Sequence, residues 1–160
     1  MSYPNRDPME SLKAIAKDDF FDAIELKGFG EKNAEAKAIL DQSHLKVCYG
    51  AQPRLLGPKL NPNDIALINA KRLVFIVDEC HRSTFGEAEY LGAKGIAFLA
   101  GKWEEATKDQ AYAQLLKTTR NLCDYAATKG MNVELEVFDY DMDKAALIGP
   151  APYAAKFAAD

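Results

Sequence analysis

Apolar and polar positions follow two different periods along this chain, and the changes of period outline its elements. Asp7 can cap a helix, Pro8 suits its first position, Glu10 completes a capping box, and Leu12, Ile15 and Ala16 give it an apolar face. Residues 20–26 read as a strand ended by Gly28 and Gly30, residues 34–40 as a helix, and residues 45–50 as a second strand. A loop over 51–64 carries Pro53, Gly57, Pro58 and Pro62. It is long for a structureless connector, which predicts a functional loop. Residues 65–70 follow as a short helical piece. The apolar run Leu73-Val74-Phe75-Ile76-Val77 then suits a strand buried on both faces. Residues 88–92 end a helix and 95–101 form a buried strand. Residues 107–129 form the longest helix, with Thr107 and Gln110 as a capping box and Gly130 just past its end. Tyr112, Leu115, Leu116, Leu122, Cys123 and Ala126 make its apolar face. Alternation over 132–138 predicts a strand, 139–150 a polar loop with a short apolar piece, and 152–159 a closing helix.

Helices and strands therefore alternate. This predicts an α/β fold: a partial (β/α) barrel, or a small open, mostly parallel sheet of about five strands flanked by helices. Five strands are too few to close an eight-stranded barrel, so the sheet edges need a cover, and a homo-oligomer formed through open edges is one way to provide it. Residues 1–160 show no repeat, low-complexity tract or internal boundary and read as a single domain. Composition narrows the class without naming it. The 160 residues are 48% hydrophobic and 28% charged, ordinary values for a globular chain. A net charge of −4 argues against a general nucleic-acid surface. No apolar run is long enough to span a membrane, and the first ten residues lack the parts of a signal peptide, so a cytoplasmic location is expected.

Candidate chemistry is scattered. Cys48, Cys80 and Cys123 have no metal-type spacing, and Cys48 and Cys123 are expected to be buried thiols. His44 precedes a strand and reads as a surface or capping residue. Asp139, Asp141 and Asp143 lack the glycine and distal glutamate of a calcium loop and read as a solvated acidic loop. Trp103 follows a strand, where it either stacks on a sugar ring or packs at the rim. Its neighbour Lys102 either binds phosphate or is solvated. Asp78 and Glu79 stand at the carboxyl end of the 73–77 run, where open α/β sheets place ligands.

Most of the chain resembles the sugar phosphate isomerase/epimerase family, the xylose-isomerase-like (β/α)8 barrels. The resemblance is carried by FDAIELKGFG (21–30), VCYGAQPRLLGPKLNPNDI (47–65) and the long stretch 87–160. Within that stretch LGAKGIAFLAGKW and VELEVFDYDMDKAALIGP are its more specific parts. The resemblance implies metal-dependent isomerisation or epimerisation of a small-molecule sugar or sugar phosphate. It implies a divalent cation (Mn, Mg, Co or Zn) held partly by Glu136; Lys102 and Trp103, from their place just past a strand, are the candidate substrate contacts. The chain ends before strands that would bring the family's other ligands.

Residues 66–87, ALINAKRLVFIVDECHRSTFGE, resemble something else: the DECH motif in the motor subunit of type I restriction endonucleases. That alternative implies an ATP-Mg site in which Asp78 reaches the metal through water, Glu79 activates the attacking water, and His81 couples the site to the rest of the motor. No phosphate loop of the GxxxxGK[ST] kind accompanies it. The abrupt change of character near Ile65 and Glu87 reads as a chimera of two origins.

Overall fold

The computed structural model describes residues 7–51, 84–142 and 145–160. Among these residues the sheet has four strands, β1 (Ala23–Leu26), β2 (Lys46–Gly50), β3 (Gly95–Leu99) and β4 (Asn132–Glu136), all parallel and in the order β1-β2-β3-β4. Five helices accompany it among the described residues: α1 (Pro8–Ile15), α2 (Asn33–Asp41), α3 (Gly86–Tyr90), α4 (Lys108–Thr128) and α5 (Ala151–Ala159). Parallel neighbours require crossover connections, and the helices of this chain occupy them. This is the α/β, partial-barrel architecture that the alternation predicts.

One core holds these elements together. Leu26, Val47, Tyr49, Ile96 and Phe98 project from the sheet into the same cluster as Leu12 of α1, Leu40 of α2, Ala88 of α3, Leu115 and Leu122 of α4 and Phe157 of α5. Side chains alternate across a strand, so Glu25, Cys48, Ala97, Glu134 and Glu136 belong to the opposite face.

Element boundaries follow local partners. Asp7 caps α1 as expected, its Oδ1 accepting from the Met9 amide at 2.8 Å. β1 begins only at Ala23, three residues later than expected. The Asp18 carboxylate accepts from the Phe20 amide in a turn, and Phe20 is 82% exposed. β4 stops at Glu136 because the Phe138 amide donates to the Ile148 carbonyl instead of continuing the ladder. At the start of α4, Thr107 makes no side-chain cap; its hydroxyl donates to the Glu104 carbonyl across a 3-10 turn. Gly130 takes φ 64° just beyond α4, the left-handed conformation expected of a helix-ending glycine.

The thiol expectations need correction. Cys123 is exposed and Cys48 only half-buried. The buried positions of α4 include Ala111, Leu115, Thr118, Leu122 and Ala126, so Cys123 lies off the core stripe. Cys48 sits on the face of β2 turned away from the helices. The expected loop at 52–64, the helical piece at 65–70, the fifth strand at 73–77 and the residues Asp78, Glu79, Cys80 and His81 lie outside the described residues. Among the described residues, no helix is long and apolar enough to cross a membrane.

Candidate functional site

The face of the sheet turned away from the helical core gathers the chemistry. Glu134 and Glu136, two residues apart on β4, share that face with Glu25 of β1 and Cys48 of β2. The Cys48 thiol donates to Glu134 Oε2 at 3.3 Å, reaching across β3. Gly95 makes the reach possible, because a Cβ at that position would lie 2.4 Å from Glu134 Oε1. Burial pushes the Cys48 thiol up to about 12, helped by the bond to Glu134 and by the nearby charges of Glu134, Glu25 and Glu136. At neutral pH this sulfur is a protonated donor rather than a nucleophile.

Glu136 stands at the carboxyl end of β4, opposite Leu99 of β3. That is the end at which open α/β sheets bind ligands. A cation site needs more than one carboxylate. Among the described residues, no group of three or more His, Cys, Asp or Glu is placed to hold a metal ion. The donors among the described residues therefore do not fit the divalent cation that the resemblance implies.

Lys102 and Trp103 follow β3 at the same end. Lys102 is exposed and forms an isolated antiparallel bridge with Ala146. Trp103 is half-buried, its ring 4.8 Å from that of Tyr140 at a 31° tilt. The ammonium of Lys108 lies 4.5 Å from the Trp103 ring centre and 5.4 Å from those of Tyr140 and Tyr153. It also donates to the Tyr140 hydroxyl at 2.8 Å, which raises its pKa above the usual lysine value. Trp103 is thus part of an aromatic group organised around a cation of the same chain. His44 is exposed and bonds through Nε2 to the Phe21 carbonyl at 2.8 Å, which fits a capping role. Asp139 accepts from the Ala145 amide at 3.0 Å and acts as a turn former.

A second polar cluster was not legible in the sequence. The Tyr49 hydroxyl, on a side chain only 1% exposed, donates to Glu87 Oε2 at 2.5 Å. Asn33 Nδ2 donates to Glu87 Oε1 at 2.6 Å, and the Gly28 amide donates to the Tyr49 hydroxyl at 3.3 Å. A Cβ on Gly28 would lie 2.1 Å from Glu87 Oε1, so a side chain there would push the Glu87 carboxylate from its place. Gly28 reads from sequence as a strand stop and Tyr49 as a strand apolar. Pairing them with Glu87 needs the fold, which joins residues 38 positions apart.

A scan against protein-family models gives no match, and a search of curated proteins gives none either. Solved structures do match. Protein SMc04130 from Sinorhizobium meliloti 1021 superposes with a TM-score of 0.68 at 17% identity, over 96% of this chain and 55% of that one. A D-allulose 3-epimerase from Methylomonas sp., solved in complex with D-allulose, gives 0.62 at 21% identity over 93% and 50%. A D-tagatose 3-epimerase-like protein gives 0.60 at 19% identity over 81% and 49%. At these identities the likeness establishes the fold. The chain spans about half the length of the solved structures that it matches.

Proposed function

We propose that this chain is a single α/β unit supplying half of a sugar-binding barrel of the isomerase/epimerase type, and that its mouth takes a small sugar or sugar phosphate. The observation carrying this reading is the convergence of strand carboxyl ends, with Glu136, Lys102 and Trp103 after adjacent strands at one end of the sheet. The likeness to epimerase structures, one of them holding D-allulose, supports the same ligand class. In this reading the carboxylate of Glu136 accepts hydrogen bonds from sugar hydroxyls, Lys102 offers a cation to a phosphate, and Trp103 offers an apolar edge. Full isomerase chemistry needs donors not found among the described residues, so binding is the activity assigned here. The alternative motor reading rests on Asp78 and Glu79, outside the described residues, and no other observation supports it.

Trp103 is the only tryptophan and reports on its own surroundings. Titration with D-allulose and with a ketose phosphate should shift its fluorescence saturably, and Glu136→Gln should weaken the response. No shift with either sugar, or an unchanged response in the variant, sinks the assignment.

A further inference from the structure

We infer that two copies of this chain close into one eight-stranded barrel, β4 of each pairing in parallel with β1 of the other. A two-fold axis along the barrel would relate the copies and make both seams identical. Among the described residues the strand count and order fit: four parallel strands run in sequence, with β1 and β4 at the edges. Closure depends on strand register and not on which ligand occupies the mouth.

Register is the stronger argument, because a closed barrel of eight strands needs a fixed stagger. An eight-stranded barrel with a shear of eight advances about one residue per strand. Counted from the strand ends, the described sheet steps by one, two and no residues, about one per strand on average. Leu26, the last residue of β1, pairs with Tyr49, one residue before the end of β2. Gly50, the last of β2, pairs with Ala97, two residues before the end of β3. Leu99, the last of β3, pairs with Glu136, the last of β4. Three steps climb three residues, and one further step across the seam gives each copy half of the required shear.

The seam register follows. Glu134 falls opposite the partner's Ala23, Leu135 opposite the partner's Ile24, Glu136 opposite the partner's Glu25, and Val137 opposite the partner's Leu26. The shift is even, so apolar residues stay on the helix side and polar ones stay inside. Beside β4 lies a groove of about 540 Å³ whose lining includes Leu116, Val133, Leu135, Val137, Ala154 and Phe157. Val137 is 52% exposed there. The partner's Ile24 and Leu26 would continue this apolar surface. One pair opposes closure: Glu136 meets the partner's Glu25, and like charges directly opposite weaken a strand pair. The dimer is accordingly weak, and removing either charge tightens it.

Sedimentation of the full chain over a concentration series should show a monomer–dimer equilibrium, with Glu136→Gln raising the association constant by up to about fivefold. Register is read separately in a chain whose Cys48, Cys80 and Cys123 are replaced by serine. Glu25→Cys with Glu136→Cys should give a disulfide-linked dimer under mild oxidation. Glu25→Cys with Asn132→Cys, about 13 Å out of register, should not. A monomer at every concentration, oligomers that grow without limit, or equal cross-linking by both pairs overturns the inference. Circular dichroism confirms that each variant is folded. A persistent monomer leaves the β4 edge to another polypeptide, and sugar binding by that monomer would leave the proposed function standing.

Discussion

β3 and β4 lie side by side in register for five residues, yet every position of β3 is buried and β4 is exposed or half-exposed throughout. The contrast lies in composition. GIAFL carries no charge and sits between two neighbours, so both of its edges are paired and all five of its positions are buried. NVELE alternates and has one neighbour, so its valine and leucine serve the helical core while its glutamates serve the other face. In this sheet stability is concentrated at the centre and chemistry toward the edge.

Three substitutions sharpen or break that contrast. Phe98→Ala empties a fully buried site in β3 and should cost about 3–5 kcal/mol, whereas Leu135→Ala in β4 should cost only about 1–2 kcal/mol. Equal shifts of the denaturation midpoint would erase the distinction. Tyr49→Phe on β2 removes the donor to Glu87 without changing core volume and should cost about 1–3 kcal/mol by the same measurement. A neutral result would mean that water replaces the phenol there.

The smallest effect belongs to the polar face. Glu134→Gln should leave stability nearly unchanged at neutral pH while lowering the Cys48 pKa, so that alkylation of this thiol speeds up. The sign is fixed by the raised pKa. A thiol held above its ordinary 9.0 favours the folded state below that value, and this contribution is lost as pH rises toward about 12. The wild-type chain should therefore lose more stability than Glu134→Gln on moving into alkaline solution.

The sequence made the architecture readable because its signals are local. GIAFL is a run without charge, Asp7-Pro8 is a helix start, and Gly130 is a helix stop. Strand ends were less legible. β1 starts late and β4 stops early because pairing depends on where a neighbour presents its backbone, as with the Phe138 amide and Ile148. Glu134 and Glu136 share a face by simple alternation, so that half of the polar cluster could be read directly. The Cys48 bond to Glu134 could not, since it depends on the missing side chain of Gly95 in the intervening strand. Cys123 shows the same limit on a helix, where a rotation of one position separates the core stripe from the groove.

The Tyr49–Glu87 bond has a topological consequence. Together with the Ala51 amide donating to the Ala97 carbonyl at 2.8 Å, it anchors both sides of the stretch from 52 to 83 to the same sheet. The end of β2 and the helix that leads into β3 are thus tied to each other through side chain and backbone, so the two central strands hold their spacing by bonds made within the sheet and its covering helix.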